Sequence, residues 1–214
     1  MSDHVEDRSW TELWIRLLES AAPPCASAVP DPALLGDPRR PECRIWSLVS
    51  EAGAAGSAGG SATESAAGSA GGSAGGSAAG NAPAPAIDAQ LRAMVHAASG
   101  PLLAHGNRDT IETWTEGELC SIHALMRVAA HDPWWRDRLR SAVDWHLEWT
   151  QPDNATNRPW GIHAFLALGG LEGRMYAETM LHNAQAGGAQ QDPLVAWALG
   201  DAARWLRAGI PFAR

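Results

Sequence analysis

Thr115-Glu-Gly-Glu-Leu-Cys-Ser-Ile-His-Ala-Leu-Met-Arg-Val-Ala-Ala-His-Asp-Pro-Trp-Trp135 is the stretch that decides the fold. Thr115 and Glu118 stand in capping-box spacing, in which each side chain satisfies a free amide at the start of a helix. Leu119, Ile122, His123, Met126 and Ala130 then recur at intervals of three and four, which puts them on one helical face. Asp132-Pro133 supplies an N-cap carboxylate and a proline at the first helical position, where its missing N–H costs nothing. One helix, a tight turn and the start of a second helix predict an α-hairpin.

The same punctuation continues on both sides. Trp135, Leu139, Ala142, Val143, His146 and Trp149 form the stripe of the second helix. Pro159 starts a short helix ending near Gly169-Gly170, and Leu171–Ala186 supplies the next. Asp192-Pro193 caps a last helix with Leu194, Trp197, Ala198, Ala202, Trp205 and Leu206 on its apolar face. Upstream, Asp88 is placed to cap a helix carrying Leu91, Met94, Val95 and Ala98, which Gly100-Pro101 breaks or kinks. No stretch alternates β-branched residues as a strand would. The expectation is an all-α chain of antiparallel helical hairpins.

A phrase also repeats. Ile122-His123-Ala124-Leu125 returns about forty residues later as Ile162-His163-Ala164-Phe165, and each copy is followed about twenty residues on by His146 or His182. That period accommodates two helices and their turns, so it predicts a helical-repeat bundle with one histidine on each of four successive helices.

Composition narrows the chemistry. All 16 basic residues are arginine, which removes a P-loop lysine, a Schiff-base lysine and a lysine general base. A net charge of −8 without a basic cluster argues against nucleic-acid binding. The apolar runs are too short for a bilayer, and acidic residues precede the first apolar stripe, unlike a signal peptide. The expected setting is soluble and cytoplasmic. Cys25, Cys43 and Cys120 lack CxxC spacing and are read as unpaired thiols rather than zinc ligands.

The chain divides into residues 1–51, a Gly/Ala/Ser-rich tract over 52–86, and the hairpin region 87–214. The tract has too little side-chain area to offset ordering entropy and is expected to be a disordered linker. In the first part, Ser9 and Glu12 match a capping box, followed by Trp10, Leu13, Trp14, Leu17, Leu18 and Ala21 on one stripe, and Ala21-Ala22-Pro23-Pro24 stops that helix. A short helix is expected near Arg44–Ser50. The Trp10/Trp14 helix either joins the core of the later hairpins or acts as a tethered docking helix for a partner protein. The first is preferred, because a loop can lengthen at small entropic cost.

Paired helices with a tryptophan-rich periphery, together with Gln151-Pro-Asp-Asn-Ala-Thr-Asn-Arg-Pro-Trp160, resemble the α/α-toroid group, which includes terpenoid cyclases and protein prenyltransferase β subunits. The loop is similar in role to the glutamine–tryptophan repeats of terpenoid cyclases, without the glycine before the tryptophan. The resemblance covers about residues 112–208 and implies a partial α/α-toroid, with fewer hairpins than a closed one. No DxDD or DDxxD motif is present, and the prenyltransferase zinc ligands find no matching motif, so no activity is implied.

The candidate site residues are His123, His146, His163 and His182, with Glu178 one turn before His182, and Glu116 on the face of Cys120 and His123. Convergence of the four histidines, with Glu178 or Glu148, would make a divalent-metal or small-ligand site; separation would make each histidine a structural group in its own hairpin. The structural reading is preferred, because no HExxH or ExxH spacing is present. Glu118 is explained by its capping box, and tryptophans 134, 135, 145, 149, 160, 197 and 205 by packing.

Two functions follow. The preferred one is a non-catalytic helical-hairpin module binding a protein or small ligand, with no resident cofactor. The alternative is a small α/α-toroid-type enzyme or metal-binding protein with a His/Glu-lined interior. A short array has open ends, which a homodimer would bury.

Overall fold

The structure is a computed structural model that describes residues 3–22, 35–58, 82–106, 109–150, 158–187 and 192–209. The described residues form helices and connections, with no strand among them: α1 (Asp3–Ala21), α2 (Pro41–Ala58), α3 (Pro85–Met94), α4 (Ile111–Ala129), α5 (Pro133–Trp149), α6 (Ile162–Leu168), α7 (Gly170–Ala186) and α8 (Pro193–Arg207). The chain is all-α. No described helix is long and apolar enough to cross a membrane.

Helix α4 is the axis of the fold. Nearly every residue from Trp114 to Ala129 is buried, as expected for a helix with apolar or small residues all round. It packs on α2, α5 and α6, while α8 packs on α1 and α6, and α7 on α6 and α5. The turn at Asp132 behaves as its sequence says: the carboxylate accepts from the Trp134 N–H, and Pro133 opens α5. Asp192 does the same for α8. Where α6 turns into α7, a Cβ on Gly173 would lie 2.3 Å from the Phe165 carbonyl oxygen, so only glycine permits that approach.

Several boundaries move. Helix α4 starts at Ile111, because the Thr110 hydroxyl takes the Thr113 N–H; Thr115 and Glu118 therefore lie inside the helix and form no capping box. Asp88 sits in the first turn of α3 rather than at its cap, bonded instead to Arg92 (2.6 Å) and Trp135 Nε1 (2.7 Å). Helix α1 begins at Asp3, which places Ser9 and Glu12 in its interior. Helix α2 extends well beyond residues 44–50 in both directions, from Pro41 at its first position through alanines that propagate a helix readily. The 52–86 tract thus loses its ends to α2 and α3, and residues 59–81 of it lie outside the described residues, as do Cys25 and Gln151–Asn157.

The stripe on α1 is split. Trp14, Leu18 and Ala21 are buried in the core against α8, whereas Trp10, Leu13 and Leu17 remain exposed. Helix α2 adds Ile45, Trp46 and Val49 to the same core. At roughly 25 cal/mol per Å² of apolar surface removed from water, these contacts contribute several kcal/mol, and α1 and α2 share one core with the later helices.

Candidate functional site

The four histidines do not meet at one point. His123 and His163 come together, with ring centroids 4.3 Å apart, although one lies deep in α4 and the other in the first turn of α6. His123 is fully buried. The Gly161 N–H donates to its Nδ1 (3.1 Å), which leaves the proton on Nε2, facing Asp201 Oδ2 at 3.2 Å. Asp201 Oδ1 accepts from Arg127 (2.7 Å) and Arg204 (3.1 Å). Burial pushes the His123 pKa below its ordinary value despite the Asp201 contact. Burial opposes ionisation of Asp201 too, but the His123 bond and the Arg127 charge hold it well below the usual carboxylate range. His163 is fully buried with no hydrogen-bond partner among the described residues at either nitrogen; burial, then the neighbouring His123, drives its pKa far down. Both rings are neutral packing groups in a cage that includes Trp46, Trp160, Trp197 and Trp205.

His146, in the last turn of α5, belongs to a different network. The Thr150 hydroxyl donates to the His146 carbonyl (2.9 Å), so its oxygen can accept from His146 Nδ1 (3.0 Å) and the Tyr176 hydroxyl (2.9 Å). His146 Nε2 faces Glu118 Oε1 at 3.8 Å, beyond hydrogen-bond range. Glu118 is fully buried and is occupied elsewhere: its two oxygens accept the Leu102 and Leu103 N–H groups. Arg138 takes the carbonyls of His96, Gly100 and Pro101 on the same segment. A buried Glu–Arg clamp therefore holds the connection between α3 and α4. That corrects the capping role expected for Glu118: a buried connection must find partners for its backbone, and Glu118 supplies two of them.

Thr150 and Tyr176 also line an open groove of about 710 Å³ between α5 and α7. Leu147 and Met175 give it apolar surface, and Asp144, Glu148 and Glu172 are its charged residues; among the described residues no arginine or histidine lines it. Met175 is 62% exposed, and Trp149 and Leu171, adjacent in sequence to lining residues, are 66% and 74% exposed. Trp149 thus departs from the packing role expected of it. His182 and Glu178 are both exposed on α7 and join neither histidine cluster.

Glu116 lies against a third feature, a cavity of about 270 Å³ bordered by α2, α4 and the segments holding Asp37 and Arg158. Arg158 bridges Glu116 (2.9 Å) and Asp192 (3.0 Å); burial would lower its pKa, but the two carboxylates more than offset this and raise it. Glu42 forms another part of the wall. It is buried, its Oε1 pairs with Arg40, and its Oε2 has no hydrogen-bond partner among the described residues. Cys120 lines the cavity as a free thiol whose Sγ accepts from Trp46 Nε1 (2.9 Å), and burial raises its pKa well above the ordinary thiol value. It is no nucleophile in this state.

The structure thus brings together His123 and His163 and separates them from His146, Glu116, Glu178 and His182. Among the described residues no group of three or more His, Cys, Asp or Glu side chains is placed to hold a metal ion. Sequence reasoning named Glu148 only as a companion of the histidines, and it missed Glu42, Asp201, Tyr176 and the other acidic side chains of the groove, Asp144 and Glu172. One signal for Glu42 was present: Gly117 inside an otherwise strong helix, which marks a close approach. No family model, curated protein or solved structure matches this chain.

Proposed function

We propose that this chain is a non-catalytic helical-hairpin module that binds a protein partner, and that the groove between α5 and α7 receives a basic, amphipathic segment of that partner. The observation that carries the reading is the groove's make-up: exposed Met175 with Leu147 and Tyr176 supplies apolar contact, while Asp144, Glu148 and Glu172 supply charge of one sign. A cationic amphipathic helix complements both properties. A second copy of this chain would bring like charge, since its net charge is −8. A reducing, cytoplasmic setting suits the buried free thiols Cys43 and Cys120.

One observation favours a second reading, a small enzyme: the succession Tyr176–Thr150–His146 leads from the groove toward buried Glu118. Against it, the Thr150 hydroxyl proton is already committed to the His146 carbonyl.

The test uses fluorescence polarisation with a labelled Leu/Lys amphipathic helical peptide and its Leu/Glu counterpart. The Lys peptide should bind saturably and the Glu peptide should not. Met175→Ser should weaken binding about tenfold while changing stability by no more than about 0.5 kcal/mol, as an exposed substitution does. Equal binding by wild type and Met175→Ser, or self-association through this groove in sedimentation, would overturn the proposal.

A further inference from the structure

The cavity beside Glu42 is separate from the α5/α7 groove and has a different chemistry. Among the described residues, three carboxylates (Asp37, Glu42 and Glu116) and two guanidinium groups (Arg40 and Arg158) line it, so these groups together carry one net negative charge. Arg158 is engaged by Glu116 and Asp192, and Arg40 by Glu42 and the Thr113 carbonyl. Both cations of the wall are therefore already paired.

Glu42 is different. Its side chain is only 8% exposed, and one carboxylate oxygen has no hydrogen-bond donor among the described residues. A buried, half-partnered carboxylate is costly, and a ligand N–H would reduce that cost. The fold also makes room for it. A Cβ on Gly117 would sit 3.1 Å from both Cδ and Oε2 of Glu42, so the carboxylate lies against the bare backbone of α4. Glycine inside a helix costs about 1 kcal/mol relative to alanine, and this close approach is what the glycine permits.

We propose that this cavity is a binding site for a small organic ammonium, whose N–H donates to Glu42 Oε2 and whose charge balances the wall. The size agrees, because about 270 Å³ falls below the range of drug-sized pockets and suits a molecule of a few heavy atoms. A carboxylate or phosphate is the wrong ligand: it would meet the unpartnered Glu42 oxygen with like charge.

The experiment titrates the full chain at constant ionic strength with ethanolamine hydrochloride, tetramethylammonium chloride and sodium acetate, following thermal stability and amide chemical shifts. Ethanolamine should stabilise the protein saturably in the millimolar range and shift the amides of Gly117, Cys120 and Arg158. Tetramethylammonium, a cation with no N–H, and acetate should do neither. Glu42→Gln keeps the shape and removes the charge, and it should weaken the ethanolamine effect at least about tenfold. The wild-type comparison stands by itself should that variant fold poorly. Equal responses to ethanolamine and tetramethylammonium, an undiminished response in Glu42→Gln, or no saturation would overturn the proposal.

Discussion

Two buried carboxylates near α4 end in opposite conditions. Glu118 is fully enclosed, and the amides of Leu102 and Leu103 occupy its two oxygens. Glu42 is nearly as enclosed, but Arg40 satisfies one oxygen and nothing among the described residues satisfies the other. The histidines repeat the contrast: both nitrogens of His123 are partnered, and neither nitrogen of His163 is. A polar group buried with all its partners is part of the framework. One buried with partners missing either costs stability or is waiting for a ligand, and the presence of a cavity tells the two apart. Glu42 has a cavity, lined by charged groups.

The largest expected effect tests the framework side. Glu118→Ala strips two buried amides of their acceptor and leaves Arg138 without its nearby counter-charge, so it should cost about 3–5 kcal/mol in urea unfolding, as breaking a buried ionic group does. A cost below about 1 kcal/mol would show that the clamp is dispensable. The next test sets the histidines against each other. His163→Leu removes two unpartnered polar atoms and should stabilise by about 1–2 kcal/mol, whereas His123→Leu orphans the Gly161 N–H and should destabilise by a similar amount. Equal destabilisation by both would mean that His163 has a bonding role in solution.

The smallest effect is in the pH dependence. Burial lowers the pKa of both His123 and His163 from 6.5 in the folded chain, so the unfolded chain takes up protons on these rings first as pH falls. Stability should be flat above about pH 6.5 and decline below it. Asp201, held below its ordinary 3.8, adds stability that is present above that value and lost beneath it. Melting temperatures from pH 4 to 8 should show the upper decline, and His163→Leu should reduce it. An unchanged profile in that variant would separate His163 from the acid response.

Much of the fold was legible. Asp132-Pro133 and Asp192-Pro193 announce α5 and α8, because a cap carboxylate and a proline act on amides one or two residues away. The capping boxes at Ser9 and Thr115 misled for the complementary reason. The same spacing occurs inside a helix, and only the residues upstream, Asp3–Arg8 and Thr110, decide where the helix begins. The split stripe of α1 was illegible too. Trp10 and Trp14 stand on one face in sequence terms, and only the tertiary packing determines that Trp14 is buried while Trp10 stays exposed, with the Arg174 guanidinium over its ring.

By itself, then, the sequence determined the all-α class and the Asp-Pro starts of α5 and α8, and it excluded lysine chemistry, because these depend on local spacing and composition. Tertiary structure alone decided which histidines meet, that Glu118 serves a loop rather than a helix cap, and that Glu42 keeps a free oxygen beside a cavity. Each of those outcomes depends on groups far apart in the chain, as His123 and Asp201 are, and a buried polar side chain takes its role from whichever donors the packing brings to it.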